Sequence, residues 1–171
     1  MKEEKIRFTE IELVQNDKGS NCARASKMPR TAVIPVVRDK KTNYINASPY
    51  SGGVISLKPY QVFFGIKSWD SKFTFREADE FVIAVPSRSQ IHQMWVMACS
   101  VPHGINEIDL AGWTEMKSVE VSTPGIAECP LNLECKKVIH IQLGEFLRDI
   151  VVGEVVGISI DTNLLNLKRA V

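Results

Sequence analysis

The sequence predicts a mainly β domain, a barrel or a sandwich, with few helices. Three observations carry this. Short apolar and β-branched runs recur between turn-forming clusters from Thr31 onward. Two late segments alternate with period two over long stretches. Only Ser87–Ser100 shows a clear helical period. Many short strands punctuated by Gly and Pro favour a barrel or sandwich over a parallel sheet.

Taken in order, residues 1–30 are mixed. "IRFTEIELV" alternates weakly and reads as a strand, and "QNDKGSNCARASKMPR" reads as a loop. No boundary is strong enough to cut at, so residues 1–171 are expected to form one domain with 1–27 as a peripheral segment. "TAVIPVV" is the first clear strand, and Pro35 inside it implies an edge, a bulge or a missing ladder bond. "RDKKTN" is a turn, and "YINAS" begins another strand. "QVFFGI" (Gln61–Ile66) and "FVIAV" (Phe81–Val85) are apolar on both faces and should be buried strands.

A short helix is expected over about Ser71–Asp79. In the longer one, Ile91, Met94, Trp95 and Ala98 form one apolar stripe, and Ser87 with Gln90 makes a capping box at its start. In "LNLECKKVIHIQL" one face carries Leu131, Leu133, Cys135, Ile139, Ile141 and Leu143, interrupted by Lys137; the other carries polar residues, Val138 and His140. That predicts a half-buried antiparallel strand. After a "GEFLRD" turn containing Gly144, "IVVGEVVGISI" completes a long hairpin. Gly153 and Gly157 fall on one face of it by simple alternation, which implies a bulge, a tight bend or a close backbone contact.

Composition narrows the function. The chain has 171 residues, 21 basic and 20 acidic, for a net charge of +1. That balance gives no bulk attraction to nucleic acid or an anionic membrane. No apolar run reaches 18 residues, and "MKEEKIRFTE" has no apolar core of a signal peptide, so a cytoplasmic location is expected. The four cysteines include no C-x-x-C pair, and the three histidines make no zinc pattern with them. Free thiols in a reducing compartment follow.

No G-x-S-x-G, P-loop, H-E-x-x-H or G-x-G-x-x-G occurs. An enzyme built on this chain would draw its reactive group from a cofactor. Two stretches stand out. "INASPYSGG" (Ile45–Gly53) gathers small residues and hydroxyls without an acid or base. It reads either as a surface turn or as a loop kept small so that a ligand can lie against its backbone. "KSWDSKFTF" (Lys67–Phe75) reads as a capped helix start or as an anion site, where free N–H groups, hydroxyls and lysines meet a phosphate. His140 reads as an exposed or hydrogen-bonded structural histidine. Cys99, Cys129 and Cys135 read as small buried hydrophobes, and Trp69 and Trp95 as core aromatics within possible reach of a ligand ring.

The order of "PRTAVIPVV", "NYINASPYS", "VISLKPYQVFFGIK", "KFTF", "EFVIAVPS", "AGW", "GIAECPLNLEC" and "GEVVGISI" resembles the flavin reductase-like, FMN-binding split-barrel family, in its flavoredoxin and ferric-reductase branch. The resemblance covers roughly Met28–Ile160, and "GIAECPLNLEC" is its strongest piece. It implies a Greek-key split β-barrel with flanking helices, usually a homodimer, with FMN near the subunit interface. Carried over by position, it implies cofactor contacts from Asn46, Ala47, Ser48, Tyr50 and Ser51 on the ring side, and from Lys67, Ser68, Lys72 and Thr74 on the phosphate side. It also implies electron transfer from NAD(P)H through FMN to free flavin, a ferric complex or a protein. The sequence departs from the family at Pro29-Arg30, at "SLKPY" with one proline, and at Ala84. Where neighbouring branches carry G-D-H before the last strand, a His associated with nicotinamide use, this chain has Arg148 and Asp149. A flavoredoxin-type carrier reduced by a protein donor, and a split barrel without flavin, therefore stay open as alternatives.

Overall fold

The computed structural model describes residues 32–67, 74–99, 102, 104–143 and 148–165, with Lys67 and Arg148 described by their backbone alone. Contacts divide the chain into the units Met1–Arg30 and Thr31–Val171. The first unit lies outside the described residues, as do the expected "IRFTEIELV" strand, residues 144–147 of the "GEFLRD" turn, and Trp69.

Among the described residues there are nine strands: β1 Ala32–Arg38, β2 Ile45–Ala47, β3 Tyr50–Leu57, β4 Tyr60–Lys67, β5 Glu80–Val85, β6 Glu115–Met116, β7 Gly125–Ile126, β8 Leu131–Leu143 and β9 Arg148–Ile160. The helices are α1 at residues 74–77, α2 Ile91–Met97, α3 Glu107–Leu110 and α4 Thr162–Leu165. The sheet runs β2-β1-β3-β4-β9-β8-β5, and β5 pairs back onto β1. Six antiparallel strands thus close into a barrel, with β2 outside it, as the predicted split barrel with flanking helices requires.

Pro35 has a place in that closure. One edge of β1 pairs with β5, and the other is shared, with β3 opposite Ala32 and Val33 and β2 opposite Val36–Arg38. Pro35 sits in the gap between those two partners, where a missing ladder donor costs least.

Two cores explain why β1 and β5 read as continuous apolar runs. The barrel interior holds Val33, Val37, Phe64, Phe81, Leu133 and Cys135 among others. Its aromatic centre is a set of edge-to-face contacts between Phe64, Phe75 and Phe81, with centroids 5.1 to 6.5 Å apart. An outer layer packs Ile34, Val36, Val82 and Ala84 on the other side of the same strands against Met97, Ile108, Trp113 and Ile126. Strands buried on both sides lose their alternation.

The β8–β9 hairpin departs from simple period two. Its register shifts twice. Val138 is an extra residue in β8, between the pairs Lys137↔Gly153 and Ile139↔Val152. Val156 is an extra residue in β9, between Cys135↔Val155 and Glu134↔Gly157. Each bulge exchanges the faces beyond it. The expected apolar face of β8 is therefore broken: Leu133 and Cys135 point into the barrel, while Ile139, Ile141 and Leu143 are 47%, 40% and 45% exposed. Gly153 and Gly157 lie on opposite sides, not on one. A Cβ at Gly153 would stand 2.3 Å from Phe81 Cζ, and one at Gly157 would stand 3.2 Å from Glu134 Cδ. The predicted close contacts are there, but in two places.

The long helix also turns differently from its predicted stripe. The Gln90 side chain accepts the Ser87 N–H at 2.6 Å, as the capping box requires. Yet Ile91 and Trp95 are 60% and 70% exposed, Ala98 is exposed, and the packed side chains are Met94 and Met97. Two methionines fit the irregular outer layer, and of the predicted stripe only Met94 faces it. Among the described residues no helix is long and apolar enough to cross a membrane.

Candidate functional site

The stretch Ile45–Gly53 is a strand, a two-residue link and a second strand. β2 pairs Asn46 with Val37, and Ser48 and Pro49 lead into β3. Asn46 is 3% exposed, and its side-chain oxygen is buried without a hydrogen-bond partner. Such an atom is costly unless something supplies a donor. Ala47 turns its methyl into the outer core, and its N–H donates to Glu107 Oε2 at 2.5 Å. The Ser48 hydroxyl lies 3.4 Å from both Glu107 Oε1 and the Met97 carbonyl. Tyr50 is half-buried against the barrel interior, opposite Val33, and Ser51 is exposed opposite Ala32. The glycines do not all leave room for a ligand: a Cβ on Gly52 would meet the Phe63 carbonyl and Val33 Cγ2 at 2.6 Å. That position is small because β1, β3 and β4 crowd it.

Glu107 is the group that sequence reading missed. Asn106 caps α3 by accepting the Ile108 N–H, and Glu107 follows as its first residue. In "INEIDL" such a residue reads as an exposed helix start, favourable to the helix dipole. Here it is 5% exposed, and burial pushes its carboxyl up to about 7, against the lowering effect of the Ala47 and Ser48 hydrogen bonds. No local pattern marks a partner 60 residues away.

On the phosphate side, Ser68 and Lys72 lie outside the described residues, as do Asp70 and Ser71, the expected helix cap. Lys67 ends β4 opposite Arg148, and nothing is described of its side chain. Thr74, the first described residue of α1, is buried, and its carbonyl accepts the Ala78 N–H. Its neighbour Phe75 shares the barrel interior with Tyr50, so both candidate segments are built on the same barrel. Lys137, the polar break in the β8 pattern, sends its ammonium to the Phe75 and Arg76 carbonyls at 3.2 and 2.8 Å. There it closes the end of α1, with its pKa lowered by partial burial. His140 is structural in the expected sense, with Nε2 2.5 Å from Oδ2 of the buried Asp149.

The stretch "GIAECPLNLEC" is a set of staples. Asn132 Oδ1 accepts the Ile126 N–H at 2.9 Å, and its Nδ2 donates to the Ile126 carbonyl at 3.0 Å. Glu134 is buried and accepts the N–H groups of Val119 and Glu120, the latter at 2.7 Å. Glu128 accepts the Thr114 N–H. Cys129 and Cys135 are buried as expected, and burial pushes both thiols up to about 12. Cys99, expected buried, is exposed just beyond the C-cap of α2. Among the described residues no group of His, Cys, Asp and Glu could hold a metal ion.

A closed six-stranded antiparallel barrel, with one strand outside it and few helices, is the architecture of a split-barrel domain. Residues 25–170 match the flavin reductase like domain, and the chain belongs to that family of flavin-binding, flavin-related oxidoreductases. An uncharacterized protein from Halalkalibacterium halodurans is 30% identical over 149 residues, covering 78% of this chain and 71% of that one. Nitrilotriacetate monooxygenase component B from Bacillus cereus superposes with a TM-score of 0.84 at 24% identity, over 95% of this chain and 84% of the other. Flavoredoxin from Methanosarcina acetivorans superposes with a TM-score of 0.71 at 17% identity, over 93% and 76%. These two likenesses are of fold.

Proposed function

We propose that this protein binds FMN noncovalently and passes electrons from NAD(P)H to an acceptor, which is free flavin, a ferric complex or a protein. The observation that carries the reading is the partnerless, buried Asn46 oxygen in the segment that the resemblance matches to the flavin-contacting loop. A flavin ring edge offers both an N–H donor and carbonyl acceptors, so Asn46 suits it. Tyr50 and Ser51 add hydroxyls at the start of β3, and Ser48 adds one before them. Thr74, with Lys67, Ser68 and Lys72 from the same segment, would hold the phosphate. When bound, FMN supplies hydride and single-electron chemistry that no side chain here can perform. The chain's own part is to bind the ring, orient it and keep water from one face.

A homodimer is part of this reading. By register, the outer face of β8, β9 and β4 carries Ile139, Ile141, Leu143, Ile150, Val152 and Phe63 side by side. A second copy covering that face would remove an apolar area that monomers rarely expose. Ile141→Glu is expected to yield monomers in analytical ultracentrifugation, and an unchanged sedimentation coefficient would count against this face.

A carrier of the flavoredoxin type has its own support. Arg148 and Asp149 stand where neighbouring branches carry the nicotinamide-associated His, and Asp149 is engaged by His140. Purified protein that is colourless and takes up no added FMN would rule out both readings. If it is yellow, anaerobic mixing with NADH and NADPH separates them: bleaching supports the reductase, and its absence with both nucleotides supports the carrier.

A further inference from the structure

The candidate loop is anchored from a distance by one carboxylate. α3 packs against β2 and α2, and this brings Glu107 to Ala47 and Ser48. Packing alone does not call for an acid there. The surrounding layer is apolar, with Met97 and Ile108 fully buried beside it, and desolvating a carboxylate in such a place is costly. What the acid adds is two accepting oxygens, and the loop uses both: Oε2 takes the Ala47 N–H, and Oε1 faces the Ser48 hydroxyl. We propose that Glu107 is a positioning residue that sets the backbone of the β2–β3 link, and thereby its fit to the flavin ring. This rests on the flavin reading of that loop.

The geometry contains a choice. The Ser48 hydroxyl has one proton and two acceptors at equal distance, Glu107 Oε1 and the Met97 carbonyl. An ionised Glu107 draws that proton, whereas a protonated one leaves it to Met97. Burial brings the Glu107 carboxyl up to about 7, so both arrangements are accessible near neutral pH. Among the described residues nothing else titratable contributes: β2 has no such group, His92 of α2 is exposed, and so is Asp109 of α3.

The test measures FMN affinity by fluorescence quenching from pH 5.5 to 8.5 for wild type and Glu107→Gln. The ratio of the two is taken at each pH, so that titration of the FMN phosphate cancels. Wild type should exceed the variant roughly 10-fold at high pH, the worth of about one hydrogen bond, and the ratio should fall toward one below pH 7. The variant's melting temperature at pH 8 should be equal or higher, since a buried charge is removed. Equal affinities across the range would overturn the proposal. If Glu107→Gln does not fold, Ser48→Ala replaces it: a flattened pH profile supports the proposal, and a wild-type profile overturns it. If wild type takes up no FMN at any pH, the flavin reading fails. Hydrogen exchange at the Ala47 amide then decides the positioning role alone: faster exchange in a variant supports it, and equal exchange overturns it.

Discussion

In segment 125–135 the buried amide of Asn132 and the buried carboxylate of Glu134 both have backbone partners, and Gly125 is pressed against Asn132 Oδ1 at 2.8 Å from where a Cβ would stand. In segment 46–51 the buried amide of Asn46 keeps an oxygen with none. The first segment is the strongest family signature in the sequence, and its polar groups are used up inside the protein. The second carries weaker motifs and has bonding capacity to spare. A signature can therefore mark architecture, while the candidate site is the segment whose polar groups are not used up.

That contrast can be broken by substitution. Glu134→Ala should cost most, about 3 kcal/mol, because two N–H groups of the 119–120 turn lose their acceptor. Urea denaturation would read the loss, and FMN affinity per folded molecule should stay at the wild-type value. Asn132→Ala should follow, at about 2 kcal/mol, again with affinity preserved. Asn46→Leu should reverse the pattern: stability within about 0.5 kcal/mol of wild type, since an unpaired polar group gives way to an apolar one, with FMN bound roughly 10-fold more weakly. A large stability loss at Asn46 with unchanged affinity would make the two segments alike. The smallest effect is chemical. At pH 8 a thiol reagent should label Cys99 and spare Cys129 and Cys135, whose thiols are raised to about 12, as peptide mapping would show.

Much of the fold was legible because strands announce themselves locally. Pro35, the apolar runs of β4 and β5, the capping box at Ser87 and the long β8–β9 hairpin were all readable in order. What stayed hidden depends on distance or on counting. That β1 closes onto β5 and that a second core lies outside the wall cannot be read from either strand alone. The exposure of Ile91 and Trp95 follows from which side the outer layer approaches α2, and a periodic stripe does not say that. At the candidate site, Asn46 and Ser48 could be named as candidates by position, but Glu107 could not, because its partners come from a different part of the chain. The faces of β8 failed for a simpler reason: one residue, Val138, breaks the alternation, and its side chain looks like any other strand residue.

Those two extra residues also constrain how this hairpin can change length. Val138 sits in one strand and Val156 in the other, with Lys137↔Gly153 and Cys135↔Val155 held between them. Deleting either valine alone would remove its bulge and leave every pair, and the face of every side chain, as it is. A change of one residue at a regular pair would instead shift the register, so that His140 would leave Asp149 or Gly157 would leave the Glu134 staple. Natural relatives should therefore gain or lose residues at the hairpin tip or at the two bulges, and the regular pairs on either side of the bulges should be the least elastic part of the barrel.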